Sequence, residues 1–147
     1  MSDDTGTPQP EDQPGHAHAA APMIAGLGSG ERLLGLGAVL FFVNFLLFEL
    51  ILDEYTIFTG TLLVAGYALL ALWVRHNRPS AKWPLPYVWL MWVFGLTAGF
   101  LGLIELLDDL RYGVLDNGAD ILGGLLGYGA ALLMFLGGRQ LKSSDGT

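Results

Sequence analysis

The chain has 147 residues, no cysteine and a formal net charge of -7; 52% of its residues are hydrophobic and only 14% are charged. Soluble domains carry about 25% charged residues, so this balance, with a mean hydropathy of +0.49, points to a bilayer rather than to water. It excludes a disulfide scaffold, a thiol nucleophile and a cysteine metal centre, and the acidic balance speaks against nucleic acid as a partner.

In chain order, residues 1–30 are rich in Pro, Gly, Asp, Ala and Gln, with almost no large apolar side chains, and are expected to be a disordered acidic tail. The tail does not read as a signal peptide, because no basic stretch precedes an apolar core. His16 and His18 form an HAH pair there, which composition explains without a metal. Four apolar runs follow, at 33–52, 57–74, 85–104 and 121–138. Each is about 18 to 20 residues, the length that crosses a ~30 Å hydrocarbon slab at ~1.5 Å per residue. The runs are long, continuous and Leu/Ala/Gly-rich rather than alternating, so helices are expected and strands are not. The expected fold is all-α: a four-helix transmembrane bundle over 31–142, with helices near 33–53, 57–75, 85–112 and 117–139, then a polar tail at 143–147.

The joints carry the punctuation. Residues 53–56 (DEYT) read as a tight hairpin, and 75–84 (RHNRPSAKWP) as a longer basic loop holding His76. Pro84 and Pro86 suit the first turn of the third helix. Gly113 suits a C-cap, and Asn117 with Asp120 has the spacing of a capping box opening the fourth helix.

Basic residues set the expected topology. Arg32, Arg75, Arg78, Lys82, Arg139 and Lys142 fall on segments that share one side of a four-helix chain, and only Arg111 falls on the other. The positive-inside rule therefore places both termini in the cytoplasm of a multi-pass cell-membrane protein. The basic loop can touch anionic lipid headgroups, with only a few charges to hold them.

The same topology collects acid on the outer side. Glu49, Asp53, Glu54, Glu105, Asp108, Asp109, Asp116 and Asp120 lie at or just below that surface. Glu49 with Asp53, Glu105 with Asp109, and Asp116 with Asp120 are each four apart, so like charges share a helix face and repel. Glu49 is about 25 Å up its helix from Arg32, one turn below the outer interface, where an ionisable group is costly and faces the bundle. Oxygen-only clusters suit a hard cation, Ca²⁺ or Mg²⁺, and the candidate site is Glu49, Glu105, Asp109, Asp116 and Asp120. A solvated acidic rim and a proton relay through Glu49 are the other readings of the same residues.

Gly95, Gly99 and Gly102 line one face of the third helix; Ala119, Gly123, Gly127 and Ala131 recur at four-residue steps on the fourth. Such small-residue stripes let backbones approach closely, either between these two helices or against a homo-oligomer or other membrane partner. Asn44 offers the first helix a hydrogen bond across the bundle.

Glu105, then Asp120, then Gly127, read as ELLDDL…ADILGGLLG, resemble the VanZ-like and YjdF-like small integral membrane proteins. In those groups a glutamate ends one helix and an aspartate opens the next, glycine-bearing one. The paired Asp116 and Asp120 match the D-x-x-x-D of the YjdF-like pattern. The likeness covers about 45 residues; Asp108 stands where VanZ-like chains usually have Gln, and Gly124 where they usually have Asn. It implies an envelope lipid or glycan-lipid role. No nucleophile triad, phosphate loop or paired intramembrane histidine accompanies it. The expected function is a non-enzymatic membrane protein whose outward carboxylates bind a divalent cation or an extracellular partner. The alternatives are a VanZ-like envelope factor and a small transporter or accessory subunit relaying protons or cations through Glu49.

Overall fold

A computed structural model describes residues 26–51, 59–112 and 118–144. Every element among them is helical: α1 (Ser29–Phe45), continued by a π-helical segment (Leu46–Ile51), then α2 (Thr59–Asn77), α3 (Tyr87–Tyr112) and α4 (Gly118–Ser144). Asp53, Glu54, Gly113, Asp116, Asn117 and both tail histidines lie outside the described residues, so the capping expectations placed there do too.

The helix ends differ from the expected ones for local reasons. α1 opens at Ser29, ahead of 33, because its first turn is capped: Gly28 N–H donates to Glu31 Oε2 at 2.9 Å. The Arg32 guanidinium donates to the Leu27 carbonyl at 2.8 Å. Glu31 also sits where the helix dipole favours an acid. α3 opens at Tyr87, so Pro84 and Pro86 precede the helix instead of forming its first turn. The Pro86 carbonyl accepts the Leu90 N–H at 3.1 Å, as an N-cap carbonyl does. A residue before proline is pushed out of the α region, which keeps Leu85 from extending the helix backwards. α4 runs on to Ser144 through the polar end, where the Ser143 and Ser144 hydroxyls donate to the Gln140 carbonyl.

Sequential helices pack as neighbours, and α4 closes the ring against α1 as well as against α3. This is the up-and-down arrangement that short joints favour. Glycine makes the closure possible. A Cβ on Gly37 would lie 2.6 Å from the Ala130 carbonyl oxygen, and one on Gly30 would lie 2.9 Å from the Gly137 carbonyl oxygen. On the other side of α4, a Cβ on Gly95 would lie 2.5 Å from the Met134 carbonyl oxygen, and one on Gly138 would lie 3.0 Å from that of Met91. Backbone thus lies on backbone along both seams. In lipid this contact matters more than hydrophobicity, because hydrocarbon tails are as apolar as leucine and only close packing favours the bundle over its surroundings.

The interior is filled by Leu34, Ala38, Phe41, Met91, Ala98, Ala130 and Met134. Its polar members are Asn44 and Thr61, whose Oδ1 and Oγ1 are buried without a hydrogen-bond partner, as is Trp83 Nε1 nearer the basic end. The outside is apolar too: Leu50, Leu63 and Leu125 are each more than 60% exposed. An apolar belt of this kind is a liability in water and ordinary in hydrocarbon. Ser29–Ile51, Tyr87–Tyr112 and Gly118–Ser144 are long and apolar enough to cross a membrane. α2 is shorter, with 19 described residues, and ends in Arg75, His76 and Asn77.

Candidate functional site at the acidic end of the bundle

The two ends of the bundle are chemically opposite. At one end lie the start of α1, the end of α2, the start of α3 and the end of α4, and there the cations are held by aromatic rings. The Lys142 ammonium sits 4.2 Å from the ring centre of Trp89 and 3.9 Å from that of Trp92. Those two indoles meet edge to face, 5.7 Å apart. The Arg75 guanidinium stacks 4.5 Å over Tyr87, whose hydroxyl donates to Glu31 Oε1 at 2.8 Å. Gln140 donates to Ser29 Oγ at 2.9 Å and ties the end of α4 to the start of α1. His76 is exposed beside this network.

The acidic end is built differently. α1 reaches it by changing from α to π geometry at Leu46, whose N–H faces the carbonyls of both Phe42 and Val43. A π turn shifts the register of the residues after it. Here Phe48 is buried, and a Cβ on Gly123 would lie 3.3 Å from its ring. Glu49 is the next residue and is half-buried. At the end of α3, Glu105 and Asp109 are half-buried one turn apart, while Asp108 and Arg111 are exposed. Arg111 lies over the ring of its neighbour Tyr112, 5.5 Å from the centroid. Glu105, Asp108 and Asp109 fall within about one turn at the end of α3. Asp120 is half-buried in the first turn of α4, where the helix dipole favours a negative charge.

A side-chain hydrogen bond joins the two helices at this end. The Tyr128 hydroxyl of α4 donates to Asp109 Oδ2 of α3. Asp109 is therefore held across the helix pair by a charge-assisted hydrogen bond. Tyr128 had a signal in the sequence: between Asp120 and Ser143 it is the only hydroxyl-bearing side chain.

Among the described residues no group of three or more His, Cys, Asp or Glu side chains is arranged to hold a metal ion. Glu49, Glu105, Asp109 and Asp120 thus share an end of the bundle without forming a ligand shell, and Asp116 lies outside the described residues. The glycines occupy distinct places. Gly95 lies on Met134 and Gly138, a Cβ on Gly99 would lie 3.0 Å from the Phe135 side chain, and Gly102 faces Ala131. Gly123 packs on Phe48 of the π segment and Gly127 is buried. Contacts as close as those of Gly95 and Gly102 are also made at Gly37 and Gly137, and Gly30 and Gly138 pack on backbone beside them, four positions that the spacing of small residues did not single out.

Beside the Tyr128–Asp109 bond a groove of about 480 Å³ runs between α3 and α4, lined by Leu96, Phe100, Leu103, Leu106, Leu132 and Phe135, with Gly99, Gly102 and Ala131 at its floor. Phe100, Leu103 and Leu132 are more than half exposed, so the groove opens to the outside of the bundle.

Among the described residues, fold and site define an all-helical protein with three helices long and apolar enough to cross a membrane and with a carboxylate-bearing end. No protein-family model, no curated protein and no solved structure matches the chain.

Proposed function

We propose that the chain is a small four-span membrane protein with both termini in the cytoplasm, and that it works by recognition rather than by catalysis. The carboxylates of α3 hold a cationic group of a partner at the extracytoplasmic surface. One observation supports this: Asp109, fixed by Tyr128, is half-buried with Glu105 one turn away on α3, at the end of the bundle opposite the basic one. A hydrogen-bonded carboxylate with a second one a turn away suits an organic cation, which needs charge and hydrogen-bond acceptors but no coordination geometry. The basic end supports the orientation, because Arg75, Lys82, Arg139 and Lys142 belong on the cytoplasmic side. α2 (Thr59–Asn77) would then be the remaining span.

Orientation and recognition can be tested separately. The chain has no cysteine, so single cysteines report cleanly on sidedness. Gly118→Cys is expected to react with a membrane-impermeant maleimide in intact cells, and Ser80→Cys and Ser144→Cys only after permeabilisation. The reverse pattern would overturn the topology. For recognition, ethanolamine phosphate is expected to raise the thermal midpoint of the detergent-purified protein. Ca²⁺ or Mg²⁺ at equal ionic strength is expected to do less, and Glu105→Gln with Asp109→Asn to abolish the gain. If the metal ions gave the larger shift, a cation site would replace this reading; if nothing shifted the parent protein, the patch would be only a solvated rim.

A further inference from the structure

The α3/α4 groove has the length and position of a single-leaflet lipid chain. It runs along α3 from Leu96 to Leu106, about 15 Å at ~1.5 Å per residue, or half of a ~30 Å hydrocarbon core. It starts near the middle of α3 (Tyr87–Tyr112) and ends one turn before Asp109. Its outer end is therefore its polar end: Tyr128 lines it and holds Asp109, with Glu105 one turn away.

The groove is unsuited to water, because an apolar cavity stays dry. It is also a poor seat for another helix. Small-residue stripes admit a second helix when the glycines face outward, but here they are already occupied. A Cβ on Gly99 would lie 3.0 Å from Phe135, and one on Gly102 would lie 2.5 Å from Ala131, both within the same chain. What remains open is a channel between large side chains, walled by Leu96, Phe100, Leu103 and Leu132.

We infer that the groove binds one acyl chain of an outer-leaflet phospholipid whose headgroup carries a primary ammonium, held by Asp109 with Glu105. Charge complementarity selects the headgroup: Tyr128, which lines the groove, bonds Asp109, and this carboxylate with Glu105 one turn away repels an anionic lipid and attracts an ammonium, while the apolar channel accepts either lipid's chain. The inference rests on the proposed recognition of a cationic group and names the partner.

The test is lipid retention by the full chain, reconstituted in nanodiscs of equal phosphatidylethanolamine and phosphatidylglycerol and released into native mass spectrometry. The parent protein is expected to retain the ethanolamine lipid about tenfold over the glycerol lipid, the scale of one charge-assisted contact. Asp109→Asn with Glu105→Gln is expected to retain both lipids equally, losing preference but not occupancy. Leu132→Trp, which fills the channel from its exposed wall, is expected to retain neither, and unchanged retention by this variant would overturn the groove as the seat. Equal retention of the two lipids by the parent would overturn the headgroup assignment. A dimer of the parent that Leu132→Trp dissolves would overturn it in favour of a second copy. Ethanolamine phosphate stabilising the parent while no lipid is retained would overturn this inference alone and leave the proposed recognition standing.

Discussion

The two halves of α4 do different work. From Ala130 to Leu141 it lies backbone to backbone against α1 on one side and α3 on the other, through Gly137 and Gly138. From Gly118 to Gly129 it is looser. Gly118 and Gly129 have nothing within 4 Å of where a Cβ would be and Leu122 and Leu125 face outward, while Gly123, Gly124 and Gly127 are buried, Gly123 against the Phe48 ring, and Tyr128 bonds Asp109. The basic half is also where charged groups are matched, Lys142 by two indoles and Arg75 by Tyr87. The acidic half holds the repelling carboxylates, the π turn and the buried Asn44 oxygen. One half of the molecule is built for cohesion and the other keeps polar groups in unfavourable surroundings. Surplus stability at one end lets a membrane protein carry a costly polar site at the other.

Substitutions that reverse this contrast would break it. The largest effect is expected from Gly137→Leu, which drives a side chain into the backbone of Leu34 and Gly30. Overpacking where only backbone can yield costs about 3 kcal/mol or more, and size-exclusion chromatography should show loss of the monodisperse peak. Gly129→Leu, on the same helix at an open position, is expected to leave that peak intact; equal damage from both would erase the distinction between the halves. Lys142→Ala removes a cation from two aromatic faces at the cohesive end, and should lower unfolding free energy by about 1–2 kcal/mol in detergent titrations.

At the other end the sign should change. Thr61 Oγ1 is buried without a partner, so Thr61→Val keeps the shape and removes the desolvation cost. A gain of about 1 kcal/mol, read as a raised thermal midpoint, is the expected outcome. A loss would mean that the hydroxyl is in use. Tyr128→Phe should be the mildest, near ~0.6 kcal/mol, the average for a side-chain hydrogen bond between membrane helices. Its larger consequence is expected in lipid preference, since Asp109 loses the group that holds it.

Some of this was visible in the residue order. The apolar runs announced helices of bilayer length, and the fold confirms an all-helical chain in which three of them can span. The glycines of α3 were legible as a close-packing face because they recur at helical spacing. Gly30, Gly37, Gly137 and Gly138 were not, because a seam between α1 and α4 is defined by two helices at opposite ends of the chain and no local spacing encodes it. The candidate site was half legible. Charge counting found Glu105 and Asp109, but the Tyr128 bond depends on how α3 and α4 are rotated against each other and no local spacing encodes it.

Hydrophobicity and length act on each segment by itself, so the sequence alone determined that this chain is helical, apolar and asymmetric in charge. Contact between distant helices depends on how each is rotated and how closely each approaches. Only the tertiary structure could decide that α4 is clamped at one end, that Asp109 is tied to Tyr128, and that a chain-length groove opens beside them.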